Sequence, residues 1–149
     1  MKLPPLPPRP HDAHKGDFGR VLILAGSRDM AGAAALCALG ALRGGAGLVR
    51  VASTVEGCRA VNVHAPSAMT LTLTSDDEGF LDDRKPAALF AAANGQDVIA
   101  AGPGLGTRPA TQALVEGLLV EASGRALVLD ADALELFRTR PELIPFRQP

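Results

Sequence analysis

Four short apolar runs divide the chain into a repeating pattern. They are RVLILA at residues 20–25, LVRVA at 48–52, DVIAA at 97–101 and ALVL at 126–129. Each run is followed directly by glycine, serine or aspartate. Such nearly continuous runs are typical of strands that are buried on both faces of a parallel sheet. A shorter alternating stretch, MTLTLT at residues 69–74, predicts one further strand.

Segments with helical character separate the predicted strands. They lie at residues 31–43, 54–63, 85–93, 109 to about 124 and 133–137. Glycines or prolines follow most of them, as expected at helix ends. The strand and helix order therefore predicts an α/β domain with three layers, α/β/α, around a mostly parallel central sheet.

The fourth of these helices has the clearest start signal. Pro109 is favoured at the first helical position, and Thr107 is a candidate for the capping residue. Helical periodicity predicts an inward stripe for this segment. The stripe comprises Ala113, Leu114, Gly117, Leu118 and Val120.

Composition narrows the classes of partner. A chain of 149 residues with 47% hydrophobic content can bury one core. A net charge of -1 gives no field for nucleic acid or an anionic membrane, and no apolar run reaches the roughly 20 residues of a membrane span. Cys37 and Cys58 lack metal or C-x-x-C spacing, which predicts reduced thiols in a cytoplasmic protein.

The chain divides unequally into an arm and a domain. Five of the first ten residues are proline, which predicts an extended, proline-rich arm or linker over residues 1–15. The folded domain is expected to occupy residues 16–149. Within it, SDDEGFLDD at residues 75–83 predicts a polar turn.

The loop GPGLG at residues 102–106 is the main candidate for a binding site. It leads from a buried strand towards a helix start, where backbone N–H groups and the helix dipole favour an anion or a polar ring. A tight turn without a ligand is the alternative. The spacing is not G-x-G-x-x-G, which argues against a dinucleotide-binding dehydrogenase.

Two carboxylates and one lysine are weaker candidates for contacts with a metal ion or a nucleotide. Asp130 and Asp132 end the last predicted strand, where they could contact Mg²⁺ or a nucleotide. The alternative is structural: Asp132 caps the next helix and Asp130 binds loop amides. Lys15 offers a cation upstream of the first strand, although an isolated lysine is usually a solvated surface charge.

Three blocks of the sequence together resemble a known family. They are HKGDFGRVLILAGS with GAAALCALGALRGGAGLVRVAS, then DVIAAGPGLG, and then LVLDADAL. In order and spacing they are similar to the N-terminal half of the ADP- or ATP-dependent NAD(P)H-hydrate dehydratases, a branch of the ribokinase-like superfamily. The similarity covers nearly the whole chain after the proline-rich arm.

The resemblance implies a nicotinamide nucleotide repair enzyme. Its substrate would be the S form of hydrated NADH or NADPH (NADHX or NADPHX), and ADP or ATP with Mg²⁺ would drive loss of the hydroxyl as phosphate. In the family, the turn after the first strand and the glycine loop border the hydrated cofactor. The residues so implied here are Gly32, Ala33, Gly102, Pro103 and Gly104, with Ala33 and Gly104 foremost. The full-length protein could be a homo-oligomer.

The resemblance also implies missing parts. The chain stops before the family's threonine-proline-histidine-proline-glycine-glutamate segment, its lysine-glycine strand and its GSGD-type turn, which supplies the catalytic aspartate. We therefore expect a truncated or partial sequence, or one piece of a larger polypeptide, with no catalytic residue and no dehydratase activity alone. Losing the later strands would leave residues 126–129 with an unpaired apolar edge.

Two alternatives stay open. Another ribokinase-like enzyme, such as a thiazole or pyrimidine kinase, would share the fold but would not require the HKG and GAGLV blocks together. A noncatalytic binding module would expose its open sheet edge to a partner chain.

Overall fold

The computed structural model describes residues 8–82, 86–122 and 124–144. They contain a five-stranded sheet in the order β3-β2-β1-β4-β5, and every pairing in it is parallel. The strands are β1 (Arg20–Leu24), β2 (Leu48–Ser53), β3 (Met69–Thr72), β4 (Val98–Ala101) and β5 (Ala126–Leu129). All five predicted strands are present, and the sheet is parallel throughout the described residues instead of mostly parallel.

Helices cover both faces of this sheet, which confirms the three-layer α/β/α prediction. They are α1 (Ala31–Arg43), α2 (Val55–His64), α3 (Pro86–Ala93), α4 (Pro109–Glu121) and α5 (Asp132–Leu136). Helices α1 and α2 pack together on one face, while α3, α4 and α5 lie on the other. Lys85, the expected first residue of the third helix, lies outside the described residues.

Alternation along β1 divides the core between the two faces. Leu22 and Leu24 point to the α3–α5 side, where they join Leu114 and Phe137 in one apolar cluster. Ile23 points to the α1–α2 side and joins a second cluster that is rich in alanine and valine. Because both faces of β1 are covered, its continuous apolar sequence is explained by burial on two sides.

Helix α4 departs from the predicted inward stripe. Its buried side chains are Thr111, Leu114, Val115, Leu118 and Leu119. Leu114 and Leu118 were predicted, whereas Ala113 and Val120 point outwards, with Val120 74% exposed. Helical neighbours are three or four positions apart, so the observed stripe excludes both residues. Gly117 is half-buried.

The start of α4 also differs by one position. Pro109 occupies the first turn as predicted, but the capping position belongs to Arg108, which has extended backbone and no side-chain cap bond. Thr107 is therefore not the cap. Proline needs no hydrogen-bond acceptor for its nitrogen, so this helix start tolerates the lack of a capping side chain.

The described part of the predicted arm contacts the domain. The Arg9 guanidinium lies 4.1 Å from the centre of the Phe18 ring, and Arg9 Nη2 donates to the Gly45 carbonyl at 3.1 Å. Residues 1–7 lie outside the described residues. Among the described residues, no helix has the length and apolar composition that crossing a membrane requires.

Strand β5 lies at the edge of the described sheet, where it pairs with β4 alone. Leu127 and Leu129 are half-buried against the α3–α5 cluster. Ala126 and Val128 face the other way, and Val128 is 53% exposed. The described residues therefore include an apolar edge strand at the position that the sequence predicts.

Candidate functional site

Three loops meet at the carboxyl edge of the sheet. Because β1, β4 and β5 are neighbours and run in parallel, the segments that follow them lie side by side. These segments are residues 25–30, the glycine loop (residues 102–106) and residues 130–131. Crevices outside the carboxyl ends of such strands are where open α/β sheets bind ligands.

A backbone hydrogen bond joins the first two loops. The N–H of Gly26 donates to the carbonyl of Pro103 at 2.8 Å. Gly26 has φ +84°, and a Cβ there would lie 2.9 Å from Ser53 Oγ and 3.0 Å from the Ala34 Cβ. Glycine is therefore required at this position for both its conformation and the close approach of its neighbours.

Ala33 and Gly104, the two foremost predicted binding residues, lie next to each other. Gly104 has φ +73°, and a Cβ there would lie 2.9 Å from the Ala33 Cβ. The same Cβ would lie 3.0 Å from the Cβ of Met30, which is 52% exposed. The small residues thus allow the glycine loop to touch the first turn of α1. Met30 was not predicted from the sequence, because a single apolar residue in a loop carries no distinguishing pattern.

Two other predicted residues are placed differently. Gly32 is exposed at the start of α1, and no atom lies within 4 Å of a Cβ built on it. Lys15 lies before β1, where its carbonyl packs against Gly47 just ahead of β2. This is the amino edge of the sheet, so the structure does not bring Lys15 together with Ala33 and Gly104.

Most amides of the glycine loop bind inside the protein. The N–H of Gly102 donates to Leu24 O, that of Leu105 to Gly102 O, and that of Gly106 to Asp132 Oδ2, at 3.1, 3.1 and 2.9 Å. The loop is therefore a packed wall more than an open cradle of free donors. Burial of Gly102 and Gly104 agrees with this description.

Asp132 and Asp130 play different structural parts. Asp132 is half-buried and fixes Gly106 from 26 residues away, instead of capping its own helix. The capping position belongs to Ala131, whose φ of +47° is strained for a residue other than glycine. The side chain of Asp130 is exposed, and its carbonyl is in close contact with Gly102, where a Cβ would lie 1.7 Å away.

Metal-binding potential at this edge is limited. Within the ranges that the structure describes, no group of three histidine, cysteine or acidic side chains could hold a metal ion. Mg²⁺ commonly binds through one or two carboxylates together with phosphate oxygens and water. The exposed carboxylate of Asp130 is compatible with supplying one such ligand, whereas one oxygen of Asp132 is already bonded to Gly106.

An acidic turn (residues 75–82) lies beside the glycine loop. Arg28 Nη1 donates to the Asp77 carbonyl at 2.8 Å, and both terminal nitrogens of Arg108 bind the carboxylate of Glu78. The hydrogen bonds to Glu78 raise the pKa of Arg108 above the usual value of an arginine side chain. The sequence predicts only a polar turn here. The missed signal is that two arginines lie in loops that follow neighbouring strands.

The two thiols are structural side chains. Burial is the main cause that raises the pKa of Cys58, which is 4% exposed. Burial also raises the pKa of Cys37, and the negative charge of Asp130 adds to that shift. A raised pKa lowers the thiolate fraction near neutral pH, so neither cysteine has the character of a nucleophile.

Sequence comparison identifies related proteins. A family model described as NAD(P)H-hydrate dehydratase matches residues 21–149. An ADP-dependent (S)-NAD(P)H-hydrate dehydratase of Lactiplantibacillus plantarum is 32% identical over 92% of this chain and 46% of the relative. A bifunctional NAD(P)H-hydrate repair enzyme of Gloeobacter violaceus is 40% identical over 93% of this chain and 26% of the relative.

Comparison with solved structures finds proteins of the same kind as the sequence comparison does. An ADP/ATP-dependent NAD(P)H-hydrate dehydratase of Bacillus subtilis, co-crystallised with ATP and Mg²⁺, superposes with a TM-score of 0.66 and 32% identity. The match covers 87% of this chain and 43% of the Bacillus protein. The chain thus spans less than half the length of the relatives it matches. Because the family model covers residues 21–149, the chain belongs to the NAD(P)H-hydrate dehydratase family.

Proposed function

We propose that this chain forms the part of an NAD(P)H-hydrate dehydratase that borders the hydrated nicotinamide ring of NADHX or NADPHX in the S form. The observation that carries the proposal is the contact between Ala33 and Gly104. Ala33 lies in the first turn of α1 and Gly104 in the glycine loop, and the two meet at the carboxyl edge of the sheet. The related enzymes of Lactiplantibacillus and Bacillus are named for the same reaction.

The chain's own residues would act by shaping and drying the site. Gly26 and Gly104 lack side chains where the loops approach, so the loops can pack closely into one continuous wall against which a flat ring would lie. Ala33 and Met30 supply apolar surface beside it. The hydrogen bond from Gly26 to Pro103 keeps the two loops at a fixed separation before a ligand arrives. Such preorganisation reduces the entropy lost on binding.

The reaction that we propose needs a nucleotide. ADP or ATP would supply a phosphoryl group to the hydroxyl at C6 of the hydrated ring and would leave as AMP or ADP. Loss of that phosphate from C6 and of a proton from C5 would then restore the ring double bond. Mg²⁺ would neutralise charge on the transferred phosphoryl group. Asp130 is the residue of this chain that we propose as a magnesium or nucleotide contact, while Asp132 supports the glycine loop. The proposal assigns binding, not catalysis, to these 149 residues.

The proposal also concerns location and partners. We place the protein in the cytoplasm with small-molecule nucleotides as its ligands. Cys37 and Cys58 are free thiols, which is typical of a reducing compartment. The net charge of -1 supplies no field that would attract nucleic acid.

Ligand-dependent stability tests the proposed binding role. We expect NADPH to raise the melting temperature of the chain, because a ligand at 100 times its Kd adds about 2.7 kcal/mol of stability. Gly104→Ala should abolish this rise, since the new Cβ would occupy the contact with Ala33. Gly40→Ala is the matched control, because nothing lies within 4 Å of its Cβ. An undiminished rise in Gly104→Ala would contradict the assignment of the site.

A turnover assay tests the assignment of catalysis. Hydrated NADPH, ADP and Mg²⁺ should give no NADPH with the 149-residue chain, because we place the catalytic aspartate outside it. Clear turnover would show that a residue of this chain performs the acid–base step, and the assignment of binding alone would then be wrong.

The edge strand favours a second candidate function, a noncatalytic module whose sheet is completed by another chain. Val128 is 53% exposed on a strand that pairs on one side only among the described residues. If this module self-associates, Val128→Lys should reduce the apparent mass in gel filtration. Val120→Lys is the control, since Val120 is 74% exposed on α4. A monomeric wild-type chain that binds NADPH would favour the dehydratase.

A further inference from the structure

The two loops that border the candidate site each contribute one arginine to the same turn. Arg28 follows β1, and Arg108 follows the glycine loop. Arg28 binds the acidic turn through its side chain, to Asp77 O at 2.8 Å, and through its backbone N–H, to Gly79 O at 2.9 Å. Arg108 binds the Glu78 carboxylate through both terminal nitrogens. The turn is thus attached to both loops.

The acidic turn is itself a closed, well-bonded unit. The backbone N–H of Phe80 donates to Asp76 Oδ1 at 2.9 Å, and the N–H of Asp76 donates to Phe80 O at 2.9 Å. Its base is fixed in the core, because Leu81 is fully buried and its carbonyl accepts a bond from Thr111 Oγ1 of α4 at 3.2 Å. A displacement of one end of the turn is therefore transmitted to the rest of it.

The turn contacts the glycine loop directly at Gly106. A Cβ on Gly106 would lie 2.6 Å from Phe80 Cε1, and the Arg108 guanidinium lies over the Phe80 ring, 4.4 Å from its centre. The N–H of Gly106 is bound by Asp132. Gly106 is therefore held by an aromatic ring and a carboxylate from two separate segments.

The charges make this attachment specific. Asp76, Asp77 and Glu78 are consecutive carboxylates that would repel one another without cations nearby. Arg108 Nη1 lies 3.8 Å from Asp76 Oδ2. The two terminal nitrogens of Arg108 also bind the two carboxylate oxygens of Glu78, a paired geometry that a guanidinium allows and an ammonium does not. The side chains are partly exposed, and exposed pairs add little to global stability. Loss of these ion pairs should therefore loosen the acidic turn and the glycine loop without lowering the stability of the whole domain.

We propose that Arg28 and Arg108 are positioning residues that hold the acidic turn against the glycine loop and thereby fix the conformation of residues 102–106. The substrate-facing importance of that loop rests on the proposed function, but its conformation can be measured without a ligand. Neither arginine needs to touch the substrate.

Hydrogen exchange on the ligand-free 149-residue chain tests the positioning. Arg108→Gln should accelerate exchange about tenfold in the acidic turn and at Gly106, while the melting temperature stays nearly unchanged. Arg138→Gln is the matched control, because Arg138 forms an exposed ion pair with Glu135 on α5. It should leave both segments as they are. Arg108→Lys should give an intermediate rate, since it keeps the charge but loses the paired bonds.

A variant of the other residue in the ion pair, Glu78, keeps the test decisive if Arg108→Gln is poorly folded. Glu78→Gln removes the same pair from the other side and should accelerate the same two segments. The exchanged pair, Glu78→Arg with Arg108→Glu, should restore protection. Faster exchange in the turn with no change at Gly106 would overturn the proposal, and so would unchanged exchange in both segments.

A binding measurement separates this inference from the proposed function. NADPH should bind wild type and Arg138→Gln equally and Arg108→Gln about tenfold more weakly, because the loop is no longer held in one conformation. Equal affinity for wild type and Arg108→Gln would overturn the link between the turn and the site. Failure of wild type to bind NADPH would contradict the proposed function, while hydrogen exchange would still decide the positioning role.

Discussion

Strands β1 and β5 have similar apolar sequences, RVLIL and ALVL, but very different surroundings. β1 lies between β2 and β4, and helices cover both of its faces. β5 pairs with β4 alone among the described residues, and one of its faces leaves Val128 53% exposed. An apolar run therefore predicts that a strand forms, whereas the layers around it determine how much stability its side chains supply.

Leucine truncation should give the largest difference between the two strands. Leu22→Ala in β1 removes a side chain with no exposed surface and should cost about 2–5 kcal/mol of the free energy of unfolding. Leu127→Ala in β5 removes a half-buried side chain and should cost roughly 1–2 kcal/mol. Urea unfolding at low protein concentration measures both. Equal losses would mean that β5 is as well covered in solution as β1, and the contrast would then fail.

The next largest effect is expected where β4 meets the end of β5. A Cβ on Gly102 would lie 1.7 Å from the Asp130 carbonyl, and its φ of +142° disfavours any side chain. Gly102→Ala should therefore cost about 2–3 kcal/mol, from overpacking and backbone strain together. Gly40→Ala, in the middle of α1, should instead stabilise the chain by about 1 kcal/mol. A harmless Gly102→Ala would show that the end of β5 moves freely.

The sequence predicts the elements of the fold better than it predicts their surroundings. Strands and most helices could be located because their signals are local: an apolar run, a proline at a helix start, a glycine after its end. The family resemblance implied Ala33 and Gly104 as binding residues, and their mutual contact is an addition from the structure. The α4 stripe was partly wrong because apolar residues lie on several faces of this helix, so its phase depends on the packing of α3 and the sheet.

Long-range polar contacts could not be predicted in this way. The bond from Gly106 to Asp132 spans 26 residues, and that from Arg108 to Glu78 spans 30. No local pattern encodes either pairing, since each arises from the order of strands in the sheet. The sequence suggested a nucleotide or metal contact for Asp132, and the structure adds a structural bond for its carboxylate.

The two carboxylates at the end of β5 should differ in effect. Asp132 Oδ2 accepts the N–H of Gly106, which belongs to the loop after the neighbouring strand β4. Asp132→Ala should cost about 1 kcal/mol, because it leaves that N–H without its charged acceptor. Asp130→Ala removes an exposed side chain and should change the stability by less than about 0.5 kcal/mol. Thermal unfolding of both variants checks this, and the reverse ranking would contradict the structure.

The smallest effect concerns the distance between β5 and α1, with Cys37 as the reporter. Burial raises the pKa of this thiol, and the negative charge of Asp130 raises it further, because a thiolate is disfavoured beside a carboxylate. Asp130→Asn should therefore lower the pKa of Cys37. The pH profile of its alkylation would then shift to lower pH, with faster reaction at pH 8.

Cys58 provides the control within the same molecule. Burial also raises the pKa of this thiol, but Asp130 does not contribute to the shift. Its alkylation profile should be the same in wild type and Asp130→Asn, which separates a local charge effect from general loosening. A shift at both cysteines would indicate loosening of the fold. An unchanged Cys37 profile would mean that the end of β5 does not stay close to α1. An edge strand can move in this way more easily than β1, which is held between two strands.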